Sequence, residues 1–176
     1  MSTLQIRPVS AADHAAWLPL WQGYQRFYNA DIAPEVSALT WQRFLDPAEP
    51  MFAALAWQGG VAVGLVHWIF HRSCWTVSDY CYLQDLYVAE TVRGGGVGRA
   101  LLAECERVAR EDWGLADMRM TVIDLREELI AYYLRRGYRL TGEHPPFPAT
   151  AERSGIPLRS DLRFAVLEKR FDGVPA

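Results

Sequence analysis

The chain has 176 residues, 51% hydrophobic and 22% charged, which is the size and composition of one globular domain and excludes a disordered chain. Lys plus Arg is 18 and Asp plus Glu is 21, a net charge of −3 with no basic stripe, so no nucleic acid is expected as a partner. No apolar run reaches the roughly 18 residues of a membrane helix, the N-terminus lacks the apolar core of a signal peptide, and three cysteines without a CxxC pair make neither a disulfide framework nor a zinc site. A cytoplasmic single domain over residues 1–176, with no membrane partner and no metal, is expected.

Leu4–Val9 reads as a short first strand. Ser10 then precedes Ala11–Tyr28, where Trp17, Leu18, Leu20, Trp21, Tyr24, Phe27 and Tyr28 recur at helical spacing. Asp31–Leu39 holds Pro34 and reads as a linker, with Thr40 capping a short helix over Trp41–Leu45. Met51–Trp57 and Val61–Phe70 are strands joined by a hairpin turn at Gln58-Gly59-Gly60, and Cys81–Val88 is the next strand. A glycine-rich segment, Thr91–Gly98, leads into a helix over Arg99–Trp113, where Glu106 and Arg110 stand at the i,i+4 spacing of an ion pair. Met118–Ile123 is a strand. Asp124 and Glu127 have capping-box spacing for a helix to about Arg136, which Gly137 ends. Tyr138–Thr141 and Leu162–Lys169 are final strands around a proline-containing loop (Pro145, Pro146, Pro148, Pro157), long enough to suggest a functional role. Hairpins mixed with helices point to an α+β or mixed α/β sheet rather than a doubly wound one.

The chemistry concentrates where the strand ending Leu86-Tyr87-Val88 meets the loop Arg93-Gly94-Gly95-Gly96-Val97-Gly98 and the helix opening Arg99-Ala100-Leu101-Leu102. Glycines between a strand and a helix let the backbone approach a ligand. The free amides and dipole of the helix start favour an anion such as phosphate. The loop lacks the Gly-Lys of a P-loop, and it fails the dinucleotide fingerprint because Arg99 or Leu101 occupies the last position. It fits Arg/Gln-x-x-Gly-x-Gly/Ala. About 40 residues on comes Tyr133-Leu134-Arg135-Arg136-Gly137-Tyr138, a Tyr-x-x-x-Gly-Phe/Tyr segment.

Together these segments resemble the GNAT superfamily of acetyl-CoA-dependent N-acetyltransferases. The resemblance implies a GNAT-like fold: a six- to seven-stranded mixed sheet with a splayed central pair and about four helices. It implies acetyl-CoA as cosubstrate, with backbone groups of Leu86, Tyr87 and Val88 along the pantetheine arm. The amides of Gly94, Gly95, Gly96, Val97, Gly98 and Arg99 would hold the pyrophosphate, with charge from Arg93 and Arg99. It further implies Tyr133 as general acid toward the departing thiolate, direct attack by a small-molecule primary amine, and a possible homodimer. A non-catalytic acyl-CoA-binding module and acetylation of a protein amine are the alternatives.

Two positions depart from the family pattern. Some members carry Leu-Glu-Asp before the loop, with the glutamate as base, whereas this chain has Leu83-Gln84-Asp85 and Gln84 cannot be a base. Asp85 then acts through water or serves as a structural hydrogen-bonding group, facing away from Gln84 if the strand is regular. Where many members place a pantetheine-binding asparagine, Arg126 stands instead, able to reach a phosphate or the acceptor. His67 and His71, four apart on a strand, lie about 13 Å apart, too far to share a metal. Either histidine, Asp79 or Tyr80 is a candidate for the acceptor site, and the early aromatics with Asp31, Glu35 and Asp46 suit a small amine.

Overall fold

A computed structural model describes residues 3–74, 77, 79–147 and 162–172. Seven strands form one sheet in the order β1-β2-β3-β4-β5-β7-β6. They are β1 (Leu4–Pro8), β2 (Met51–Gln58), β3 (Val61–His71), β4 (Tyr80–Val88), β5 (Asp117–Ile123), β6 (Arg139–Leu140) and β7 (Phe164–Arg170). Strands β1 to β4 form an antiparallel meander, whereas β4 and β5 run parallel. Residues 148–161, most of the late proline-containing loop, lie outside the described residues.

Helices α1 (His14–Phe27) and α2 (Pro34–Leu45) cover one face, where Trp17, Trp21 and Trp41 are buried against Leu55 and Leu65. Helices α3 (Val97–Arg107) and α4 (Glu127–Leu134) cover the other, over Val66, Trp68, Met118 and Met120. Of the expected linker over Asp31–Leu39 only residues 31–33 connect the helices, and residues 34–39 are instead the first half of α2. Pro34 opens that helix, at a position where the missing N–H costs nothing and its fixed φ favours the turn. Thr40 therefore lies inside the helix and does not cap it.

The expected capping box at Asp124 and Glu127 does not form. Arg126 N–H bonds Ile123 O at 2.9 Å, and that turn moves the start of α4 to Arg126, which receives the first helical bond from Ile130. The α-helical part of α3 begins two residues earlier than expected and ends at Arg107, where one wider turn continues to Asp112. The expected Glu106–Arg110 pair is also absent. Glu106 instead accepts Tyr138 Oη at 2.9 Å and Lys169 Nζ at 2.7 Å, and Arg110 pairs with Glu111.

Helix α3 sits close on the sheet because Gly64 lets it. A Cβ there would lie 2.9 Å from the Tyr87 carbonyl oxygen and 3.0 Å from Leu101 Cδ1. A backbone atom of a central strand cannot step aside cheaply. Gly64→Ala is therefore expected to lower stability by about 1–3 kcal/mol, read as a fall in Tm of several degrees.

Candidate active site

The parallel pair β4–β5 sets the site. It is joined only at Cys81↔Met118 and Tyr82↔Arg119, after which the strands part, while β5 stays paired with β7 along its whole length. Tyr82 Oη and Thr121 Oγ1 brace the start of the opening at 2.8 Å. Ala89 N–H bonds Val63 O across to β3 at 2.9 Å. Antiparallel alternation then turns the groups of Tyr87 to β3 and those of Leu86 and Val88 into the opening. Arg93 Nε already holds the Val88 carbonyl at 3.2 Å, so part of this edge is occupied by the chain itself.

The glycine loop stands at the head of the opening. Gly94 (φ 82°) and Gly96 (φ 84°) are left-handed, a conformation that costs other residues strain. The first helical bond of α3 runs from Ala100 N–H to Gly96 O at 3.0 Å, so the amides of Val97, Gly98 and Arg99 come before it, with no helical acceptor. The Arg99 guanidinium reaches back to within 3.7 Å of where a Cβ on Gly96 would stand. A Cβ on Gly98 would contact Leu86, Val88 and the Tyr132 hydroxyl at 3.5–4.0 Å, so helix start, open strand edge and α4 meet at one point. This arrangement fits an acyl-coenzyme A: an anion site leads to a free strand edge that runs toward Tyr133. Arg93 is tied to Val88 O and Glu90 and packs over Phe27 and Tyr87, so it steadies the edge as well as adding charge.

Strand β4 is not regular. His67 pairs with Asp85 but Trp68 pairs with Leu83, which leaves Gln84 as an extra, exposed residue. This bulge switches the alternation. Cys81 and Leu83 pack on the α3 side, and so do Leu86 and Val88 beyond the bulge, while Asp85 and Tyr87 turn toward α1. The regular strand that would turn Asp85 away from Gln84 is therefore not what forms: Asp85 is buried on the face opposite Leu83, and Gln84 is exposed. Asp85 is 9% exposed, and His67 Nδ1 bonds its Oδ2 at 2.9 Å. His67 is buried, whereas His71 is exposed and stacks on Tyr80. Among the described residues no group of three His, Cys, Asp or Glu is arranged to hold a metal.

Tyr133 is 6% exposed, edge-on to Tyr132 and Tyr138. Burial pushes its phenol up to about 12. The neighbouring Tyr132 and Tyr28 add to this, and Arg126 and Arg136 oppose it. Arg126 precedes the first residue of α4, lies 5.5 Å over the Phe27 ring, and its charge opposes the upward push of burial on the Tyr28 phenol, so it links the end of α1 to the start of α4. Burial raises the Tyr24 phenol well above its ordinary value, and the charge of the nearby Asp85 raises it further. Asp85, Tyr24, Tyr28, Arg126 and Tyr133 are thus close enough to act on one another's charge.

The sequence singled out Tyr133, Asp85 and Arg126 and gave the early aromatics, Trp17, Tyr24 and Tyr28 among them, only a collective place at the acceptor, with no role for Tyr132. The available signal was on α1. Trp17, Trp21, Tyr24 and Tyr28 share one face, and its change from Trp to Tyr marks where that face leaves the core for polar company. Asp31, Glu35 and Asp46, expected near the acceptor, take part in none of these contacts.

The model of the acetyltransferase (GNAT) family matches residues 17–138. A D-amino-acid N-acetyltransferase of Saccharomyces cerevisiae is 38% identical over 99 residues, covering 55% of this chain and 62% of its own length. A thialysine N-epsilon-acetyltransferase of Sus scrofa is 32% identical over 93 residues, 53% of this chain and 49% of the relative. The match therefore spans about half to three fifths of these relatives. Among solved structures, a ribosomal-protein-alanine N-acetyltransferase of Brucella melitensis has the same fold, with a TM-score of 0.73 at 21% identity over 95% of this chain and 99% of that one.

Proposed function

The chain belongs to the GNAT acetyltransferase family, and from that premise we propose that it transfers the acetyl group of acetyl-CoA to a primary amine of a small molecule, by direct attack with both substrates bound. The observation that carries this reading is the parted β4–β5 pair, whose free edge meets the glycine loop and α4, the helix that carries Tyr133, at Gly98. The amides of Val97, Gly98 and Arg99, which have no helical acceptor, hold the pyrophosphate, the Gly95 amide being turned back to Val92 O at 3.3 Å, and the outward backbone groups of Leu86 and Val88 hold the pantetheine arm. Acetyl-CoA bound there supplies the thioester whose acyl group is transferred.

Tyr133 keeps its proton across the neutral range and gives it to the departing sulfur. The attacking nitrogen sheds a proton as the new bond forms, and solvent returns one to the phenol. Arg126 stands at the rim between the two substrates, where the family pattern has a pantetheine-binding asparagine. A thiol nucleophile is not supported. Cys81 and Cys105 are buried with their sulfurs 3.7 Å apart on the α3 side, and burial pushes the Cys105 thiol well up. A small-molecule acceptor is supported by the names of the relatives, which specify a D-amino acid and thialysine.

The test is acetyl-CoA-dependent thiol release over a panel of primary amines, with amino acids of both hands, diamines and a peptide N-terminus represented. Turnover with a small amine is expected. Tight acetyl-CoA binding without turnover on any amine would establish the binding-module alternative, and turnover on the peptide alone would move the acceptor to proteins.

A further inference from the structure

Asp85 sits in an unusual electrostatic position. It is 9% exposed, and among the described residues no lysine or arginine forms an ion pair with it. Its neighbour His67 is 2% exposed and is fixed at both ring nitrogens. Trp17 Nε1–H donates to His67 Nε2 at 2.9 Å. An indole nitrogen only donates, so Nε2 must be the bare acceptor and the single ring proton sits on Nδ1, pointing at Asp85. His67 is therefore held neutral by Trp17, itself fully buried. Asp85 is held by a neutral donor, His67, with the neutral Tyr24 phenol close by. A carboxylate largely removed from water is costly unless a cation joins it. Here the protein supplies a hydrogen bond and withholds the cation.

We propose that the acceptor supplies that cation: Asp85 is the counter-ion of the acceptor's ammonium, and His67 and Trp17 are positioning residues that keep Asp85 anionic and aimed. This rests on the acetyl-transfer reading and narrows it to aliphatic primary amines that arrive protonated, as against arylamines that are neutral at pH 7. Tyr24 and Tyr28, near Asp85 and tilted to each other with ring centroids 4.9 Å apart, add ring faces that favour a cation. Before attack the bound ammonium releases one proton to solvent, and the same carboxylate then faces the positive charge that grows on nitrogen as it attacks.

The lock on His67 can be tested through pH. In Trp17→Phe, Nε2 loses its donor and becomes free to take a proton. The resulting imidazolium would pair with Asp85 and cancel the charge that draws in the ammonium. Around His67 and Asp85 the titratable and charged groups are Tyr24 and Tyr28 from α1, Tyr82 from β4 and Arg126 at the start of α4, with His14 at 5.9 Å from Trp17. From α2 and β2 come Phe44 and Ala53, which do not titrate. The three tyrosines, all pushed up by burial, keep their protons throughout the range tested.

The experiment measures kcat and KM with D-alanine, lysine and putrescine as charged probes and aniline as the neutral one. Each variant is compared with the wild type at the same pH, so that titration of the amine cancels. Turnover of a charged amine without aniline turnover is expected. Asp85→Asn should raise KM for that amine at least tenfold with acetyl-CoA affinity unchanged. Trp17→Phe should match the wild-type KM at pH 8.5 and exceed it about tenfold at pH 5.5. His67→Asn, which can donate to Asp85 but cannot titrate, should keep a constant ratio to wild type, and adding it to Trp17→Phe should erase the acid step.

Equal use of aniline, an unchanged KM in Asp85→Asn, a flat ratio in Trp17→Phe, or an acid step that survives His67→Asn overturns the proposal. If Trp17→Phe does not fold, Asp85→Asn and the aniline comparison decide. Wild-type protein inactive on every amine removes the acetyl-transfer reading itself, a result distinct from activity that ignores charge.

Discussion

Tyr133→Phe is expected to lower kcat by about two to four orders of magnitude, the range of a lost general acid, while acetyl-CoA binds as before. The phenol is edge-on to Tyr132 and Tyr138 and buried, so removing one oxygen leaves the ring packing intact. The loss is confined to the step in which sulfur leaves. A phenol near 12 is a weaker acid than free tyrosine, which at first argues against the role. Exclusion of water, however, raises the basicity of the departing thiolate in the same place, so the two stay matched. The sign of the pH effect follows. A phenol pushed up by burial keeps its proton below its folded value, so kcat should show no alkaline fall from Tyr133 below about pH 11. Stopped-flow thiol release together with calorimetric acetyl-CoA binding checks both parts. Unchanged kcat, or equal losses in kcat and coenzyme affinity, would remove Tyr133 from the chemistry.

Local chemistry made the coenzyme half of the site readable from sequence. Strand end, glycine loop and helix start are contiguous, and each needs only its own residues to declare itself: glycines for positive φ, a free helix start for the anion, branched and aromatic residues for the strand. The acceptor half depends on contacts between distant segments. Trp17 meets His67 across 50 positions and His67 meets Asp85 across 18, and nothing in local periodicity links them. The Gln84 bulge hides in the same way, because an extra residue becomes visible only once the register with β3 is known. Pro34 misled for a different reason: proline ends a helix from within but opens one at its first position, and the flanking sequence here favoured neither reading strongly. Glu106 was paired by spacing with Arg110, yet its actual partners come from after α4 and from β7, nearer the core. Short-range rules located the ligand loop, whereas long-range packing determined which polar side chains could reach the reaction.

That division predicts where coenzyme binding and chemistry separate. Replacing Gly94 and Gly96 together by alanine should weaken acetyl-CoA binding about a hundredfold while leaving kcat at saturating coenzyme within a few-fold of wild type. Space is not the obstacle: a Cβ at Gly94 meets nothing within 4 Å, and at Gly96 only the Arg99 guanidinium at 3.7 Å. The obstacle is φ, at 82° and 84°. Holding a residue other than glycine in the left-handed region costs roughly 1–2 kcal/mol, so two such positions cost about 2–4 kcal/mol. If the loop relaxes out of this shape when free, that cost is met on binding, and each 1.4 kcal/mol is a tenfold change in Kd. Stability should then fall little, because the strain is released in the unliganded loop. The result that would contradict this is a large drop in Tm with unchanged Kd, which would mean that the loop holds its shape for the fold rather than for the pyrophosphate. Tyr133 and Asp85 lie further along the opening and are untouched by the change, so a collapse of kcat at saturation would show that the loop and the reacting groups are coupled, contrary to the separation drawn from the geometry.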